Sequence, residues 1–357
     1  MLRYIIRRLI QAVPTFFGIT IISYLLMASA GNPVQVLSFR PDMNKAEQDR
    51  IAERLGVNDP WWLQYLRWLA GDDWMRWDSN SDGIADHAFI LPLRLPGSDV
   101  NEPPGDRKGV LRGDFGTSFV QKRPVLDILF ERLPATVELS ATAFILGTAA
   151  GLAIGVLAAV NHRNIFDNAS RVLAVVFNAI PEFWLALMLL LFFGSKLGIL
   201  PLGDRCATTI EDSCPPIWER WQYMVLPVFI LSTGLIAGYS RFMRASMLDV
   251  MGQDYIRTAR SKGMRAGGIW FIHAARNALI PIATFLGPAL TGLLGGAVIT
   301  ETIFNYPGVG RLVFEAATQR DYPVVMAVTI YAALASIIGY LLSDVLYALI
   351  DPRIRFS

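Results

Sequence analysis

The chain has 357 residues, 53% of them hydrophobic and 17% charged, with a formal net charge of +2. Globular proteins carry roughly 25% charged residues, so an ordinary soluble domain is excluded, and the near-neutral total gives no reason to expect nucleic acid as a partner. The apolar residues gather in long blocks that are apolar on every side, which is how helices read when lipid surrounds them.

A bilayer core about 30 Å thick needs about 20 apolar residues in helical form. Six blocks meet that requirement, at 9–30, 135–160, 171–193, 223–239, 279–299 and 324–350. The expected fold class is therefore an all-α integral membrane protein with six transmembrane helices. Residues 1–30 hold the N-terminus and first helix, 31–134 a long loop containing an insert at 70–108, and 135–350 a core of five helices. A short tail, 351–357, completes the division. Arg7 and Arg8 before the first block, and Ala28-Ser29-Ala30 after it, imitate a secretory signal. Its apolar stretch exceeds the about 7–15 residues of such a signal, so it reads as an uncleaved anchor.

In the insert stands Asp78-Ser-Asn80-Ser-Asp82-Gly83-Ile84-Ala-Asp86. Side-chain oxygens at relative positions 1, 3, 5 and 9, a Gly at 6 and the Ile84 carbonyl at 7 reproduce most of a calcium loop. The twelfth position is Phe89 where a bidentate Glu belongs, so the choice stands between a structural Ca²⁺ site and a polar turn. Further on, Glu182 follows Pro181 within the third block. An ionisable group at membrane depth faces a cavity or a partner. Glu182 is thus either pathway-lining or hydrogen-bonded at an interface where proline frees a carbonyl, and the second reading is preferred.

Lys and Arg accumulate on the cytoplasmic side of membrane proteins. The segment 240–278 carries Arg241, Arg244, Arg257, Arg260, Lys262, Arg265 and Arg276 against Asp249 and Asp254. Loops 194–222 and 300–323 together hold five Lys or Arg against seven acids. Both termini are therefore expected in the cytoplasm. The two cysteines, Cys206 and Cys214, fall in the opposite loop, where an oxidising exterior permits a disulfide that would clip a loop with no core of its own. Two free thiols are the alternative.

The basic segment is too long for a turn. Met243, Met247, Val250 and Met251 form a helical stripe, and Tyr255, Ile256 and Ala259 a second, shorter apolar face beside basic residues. Gly263 is placed to end that short helix, and a second helix is expected over 266–278. Such a loop either lies on anionic lipid or docks into a groove of a soluble partner.

The run Gln253-Asp-Tyr-Ile-Arg-Thr-Ala-Arg-Ser-Lys-Gly263, with His273-Ala-Ala-Arg-Asn-Ala-Leu-Ile-Pro281 after it, resembles the cytoplasmic signature loop of ABC importer permeases of the dipeptide, oligopeptide and nickel branch. The Glu that opens the general signature is replaced by Arg257, as is typical of the peptide branch. Also similar are the opening Arg3-Tyr-Ile-Ile-Arg-Arg-Leu-Ile-Gln-Ala-Val-Pro14, and Leu55-Gly-Val-Asn-Asp-Pro60 with Gln64-Tyr65. Gly113-Asp-Phe-Gly-Thr-Ser118, Glu301-Thr-Ile-Phe304, Pro307-Gly-Val-Gly310, Arg320-Asp-Tyr-Pro323 and the ending from Asp344 to Arg355 complete the likeness. The opening is similar to the first of the two permeases such operons encode.

The resemblance implies a type I importer permease fold in a bacterial or archaeal cytoplasmic membrane, a second homologous permease, two ATPase subunits and an extracytoplasmic solute-binding protein. ATP and Mg²⁺ would sit on the ATPases, since the sequence holds no G-x-x-x-x-G-K-[ST] phosphate loop. Coupling would fall to Asp254, Tyr255, Ile256, Arg257, Thr258, Ala259, Arg260, Lys262 and Gly263, with the apolar members supplying affinity and the charges orientation. Gly267 and Gly268 are expected to allow a turn behind this helix. Peptides are the expected solute, with nickel complexes, glutathione and oligosaccharides as alternatives. A secondary transporter or channel would show coupling-ion groups or inverted repeats, and an intramembrane enzyme a catalytic motif; neither is clear.

Overall fold

The computed structural model describes residues 2–29, 60–79, 87–88, 105–207 and 214–350. Among the described residues its regular elements are helices, apart from an isolated bridge between Thr117 and Pro124 and a two-residue antiparallel pair, β1 (Arg76–Trp77) and β2 (His87–Ala88). Among the described residues, four helices are long and apolar enough to cross a membrane: α1 (Leu2–Ser29), α3 (Val125–Val160), α6 (Gln222–Met251) and α11 (Tyr322–Ile350). A bent pair, α4 (Ile165–Ala179) and α5 (Glu182–Leu189), the latter running on as a π-helix to Lys196, meets the same length and apolarity when counted as one span. The remaining predicted span, 279–299, is occupied by α8 (Ala275–Gly295). It stops at Gly296, where φ is +82°.

The third span departs from expectation. The sequence reads as one helix over 171–193, yet α4 and α5 meet at 98°. Pro181 has no N–H for the turn before it and pushes Ile180 out of the helical region; Ile180 has ψ 126°. Glu182 consequently sits in the first turn of α5.

By internal packing the chain forms two compact units, residues 1–12, 131–314 and 331–357, and residues 13–130 and 315–330. In the larger unit, α3 packs on α6 through small residues four apart. A Cβ placed on Gly147, Gly151 or Gly155 would lie 3.0, 2.9 or 2.6 Å from Leu235, Tyr239 or Met243 of α6. Small residues at this spacing let membrane helices approach closely. At one end of that interface Glu138 of α3 takes Arg205 and Arg220 at 2.6 Å each, and Tyr306 at 3.1 Å. Burial, with the Glu138 carboxylate adding to it, pushes the Tyr306 hydroxyl up to about 12. Arg220 also donates to the Pro215 carbonyl at 2.7 Å, which ties the loop between α5 and α6 to the helices. Cys206 and Cys214 of that loop are joined as a disulfide.

Among the described residues, two further carboxylates are buried in the larger unit. Glu301, on the short α9 (Val298–Ile303), accepts the Thr136 hydroxyl at 3.0 Å and the Arg311 N–H at 2.9 Å. Thr136 in turn accepts the Val309 N–H at 2.7 Å, where α10 (Val309–Thr318) begins. The sequence motifs at 301–304 and 307–310 therefore form one knot around a carboxylate whose donors are a hydroxyl and backbone amides. The other is Asp167, described below.

In the smaller unit, α2 (Trp61–Ala70) packs on α1 through Tyr24, Tyr65 and Leu69, with Met326 of α11 in the same core. Tyr65 and Thr20 share a buried hydroxyl hydrogen bond of 2.9 Å, and Tyr24 donates to Gln64 at 3.2 Å. Asp321 accepts the Ser118 hydroxyl, the Phe119 N–H at 2.9 Å and the Val120 N–H. Three motifs far apart in sequence, at 64–65, 113–118 and 320–323, are thereby brought into one body.

Candidate functional site

The basic segment after the fourth span forms a platform. Helix α6 continues past the predicted end of its span to Met251, and its last turns carry Met243 and Met247 into a core with Val156, Ala159 and Tyr239. After Gly252 and Gln253 the chain turns into α7 (Asp254–Ser261). Eight residues are too few to hold a helix in isolation, so tertiary contacts must keep it. Ile256 supplies them: it is fully buried in the Met243–Met247 core, with Ala259 packed against the same cluster. Arg260 adds a cation–π contact, its guanidinium 4.7 Å from the Trp270 ring centre.

Gly263 ends the helix in a left-handed turn with φ +74°. Its N–H reaches the Arg260 carbonyl at 3.0 Å and the Met264 N–H the Ala259 carbonyl at 3.3 Å, closing the carbonyls that a helix C-terminus leaves open. No turn forms at Gly267 and Gly268. Gly267 is helical, and Gly268–Ala274 is a π-helical stretch leading directly into α8. The expected second helix is thus the beginning of the fifth span.

Burial divides the predicted coupling residues into two sets. Ile256 and Ala259 face the chain's own core, which differs from the expectation that they enter a partner's groove. Asp254, Tyr255, Arg257, Thr258, Arg260 and Lys262 are exposed, as is Gly263. Tyr255 is 46% exposed and is the aromatic ring on this face; Arg257 lies 3.4 Å from Asp254. What α7 offers outward is a short cationic surface with one aromatic ring.

A lock that sequence reading missed holds the base of this platform. Asp167, in the first turn of α4, has no exposed surface. Arg244 of α6 grips both its oxygens, with Nη2 to Oδ2 at 2.8 Å. The Arg163 N–H donates to Oδ2 at 2.9 Å, and Arg171 stands 3.8 Å away. His162 Nδ1 lies 3.1 Å from Arg244 Nη2. A buried carboxylate needs such pairing to remain charged. The consequence is mechanical: the α3–α4 turn is fixed to the helix that leads into α7. Asp167 could have been singled out as a lone acid beside a basic turn, but its partner lies 77 positions away.

Glu182, at the α4–α5 bend, is exposed and accepts the hydroxyl of the buried Thr300. That bond ties α5 to α9. Of the five predicted calcium ligands only Asp78 is described; Asn80, Asp82, Ile84 and Asp86 lie outside the described residues. Among the described residues no group of three or more His, Cys, Asp or Glu could hold a metal ion.

Residues 151–356, which include the whole platform, match the family described as the binding-protein-dependent transport system inner membrane component. Residues 1–79 match the N-terminal part of such components. The chain belongs to this family. It is 35% identical, over the full length of both chains, to the oligopeptide transport system permease protein AppB of Bacillus subtilis. It is 33% identical to the dipeptide transport system permease protein DppB of Escherichia coli K12 over 99% of both, and 31% identical to the glutathione transport system permease protein GsiC of Escherichia coli O1:K1 over the whole of both. The platform is thus part of a transport system's membrane component.

Proposed function

We infer that this chain is one permease subunit of an ATP-driven importer of peptides. It contributes half of the translocation pathway beside a second, homologous permease, and ATP is hydrolysed by two separate cytoplasmic subunits. A solute-binding protein delivers peptide from outside. The reading of peptides rests on full-length relatives named for oligopeptide and dipeptide transport. Both termini and α7 face the cytoplasm in this reading, because Lys and Arg concentrate in 240–278.

The observation that carries the coupling role is the division of α7: Ile256 locked into the core, Tyr255 and Arg257 left open. A helix held in this way transmits displacement as part of a solid body, since close-packed interiors do not deform smoothly. Its open cations set the docking direction on an ATPase, and Tyr255 supplies a rigid contact. Replacing Gly263 by Val tests this. A β-branched residue is strained at positive φ, so α7 loses its terminating turn. The permease should still insert, while peptide-stimulated ATP hydrolysis falls at least about tenfold, corresponding to about 1.4 kcal/mol of coupling. Unchanged stimulation would defeat the proposal.

A further inference from the structure

The smaller unit lines a half-open cavity of about 570 Å³, well inside the range of about 300–1,000 Å³ typical of small-molecule sites. It is bounded by α1, α2, the 106–122 segment and the start of α11, so each of the three motifs gathered by this unit supplies part of its wall. Its lining is charged with both signs. Arg107 and Lys122 stand on it together with Asp106 and Asp114. Trp68, Phe115 and Met326 add aromatic and thioether surface, and Arg67, Gln64, Thr117 and Ser118 further polar groups.

We propose that this cavity is a receiving site for short peptides in their zwitterionic form. This rests on the reading of the chain as a peptide permease and adds a place where the permease itself holds the solute. A free peptide carries an ammonium at one end and a carboxylate at the other, and the lining offers a counter-charge for each. Asp114 accepts one backbone N–H on each oxygen, from Lys108 at 3.1 Å and Gly116 at 3.0 Å. These bonds fix the carboxylate's direction and leave lone pairs for an incoming ammonium. The aromatic and Met surfaces accept side chains of many shapes, Met being the adaptable residue of promiscuous sites. The wall is firmly built, because the Asp321 carboxylate pins the 118–120 turn to the head of α11. Recognition here is by the two charged ends and is indifferent to sequence.

A cysteine probe tests the site. The native cysteines are joined to each other, so Thr117→Cys, on the cavity wall, introduces the one reactive thiol of this chain. The permease pair with its ATPases is placed in phosphatidylcholine nanodiscs, without the solute-binding protein, and labelled with a charged maleimide. Trialanine should slow labelling at least fivefold, and N-acetyl-trialanine-amide, which lacks both charges, should not. Adding Arg107→Ala and Lys122→Ala should remove the protection. Labelling that ignores trialanine, in a transporter that imports trialanine once reconstituted in vesicles with its solute-binding protein, would overturn the site and leave the peptide reading standing. No protection in nanodiscs together with no trialanine import in those vesicles would sink both. Shielding by phosphatidylethanolamine nanodiscs, with no further effect of trialanine, would give the cavity to a lipid headgroup and likewise overturn the inference.

Discussion

The platform around α7 and the cavity of the smaller unit are built on opposite plans. In the platform, space is eliminated: Gly147, Gly151 and Gly155 bring α3 onto α6, Ile256 fills the core, and Asp167 is saturated with donors. In the smaller unit, polar pins such as Ser118 to Asp321 frame walls around a half-open space of about 570 Å³. Close packing suits a part that must pass on displacement without absorbing it. A half-open, firmly framed space suits a part that must receive a molecule.

Breaking the lock of the platform should have the largest effect. Asp167→Ala leaves Arg244 without its anion, and unpairing a buried charge costs about 3–5 kcal/mol. The lower end is expected, because the Arg244 side chain keeps 17% of its surface in solvent. Thermal stability of the purified transporter should fall, and ATP hydrolysis should persist with little peptide moved. The exchange Asp167→Arg with Arg244→Asp should restore part of the coupling that either change alone removes. If each single variant transports normally, the lock plays no part in coupling.

Ile256→Ala should come next. Truncating a fully buried Ile costs about 2–5 kcal/mol, spent here mainly on seating α7. Tyr255→Ala touches the exposed face instead: it should leave stability nearly unchanged while weakening copurification of the ATPases. Equal destabilisation by both would show that the two faces of α7 have not been distinguished correctly.

The smallest effect belongs to the frame of the smaller unit. Arg112 grips Asp73 through both guanidinium nitrogens, with Nη1 to Oδ2 at 2.7 Å. The Arg112 hydrogen bond holds the Asp73 carboxyl below the usual carboxylate range. A carboxylate depressed on folding adds stability above its unfolded value near pH 4 and loses it as pH falls through the folded value. Wild type should therefore lose slightly more stability than Asp73→Asn between about pH 5 and pH 3. Both groups are open to water, so the difference is small. Parallel pH profiles would remove this pair from the frame.

Much of this architecture is legible in the sequence. Block hydropathy locates the spans, because lipid demands length and apolarity whatever the partners. Gly263 is legible because few residues other than Gly take a left-handed helix end without strain. The inward direction of Ile256 is not legible, since on an eight-residue helix an apolar side can face the chain's own core or a partner with the same periodicity. The 98° bend at Pro181 is foreshadowed by proline, yet its size depends on what α5 packs against, including Thr300 at Glu182. The pairings of Asp167 with Arg244 and of Ser118 with Asp321 span 77 and 203 positions, and a single sequence contains no signal that joins such distant polar residues.

In this mechanism α7 moves as one body with α4 and α6. Spin labels at Thr258→Cys and Ile165→Cys, both exposed positions, allow the distance across the platform to be followed by double electron–electron resonance with and without ATP. Close packing predicts that this distance stays within about 2 Å in every nucleotide state. A change of more than about 5 Å, on the scale of one helical turn, would mean that α7 swings on its own and that the platform does not carry the stroke.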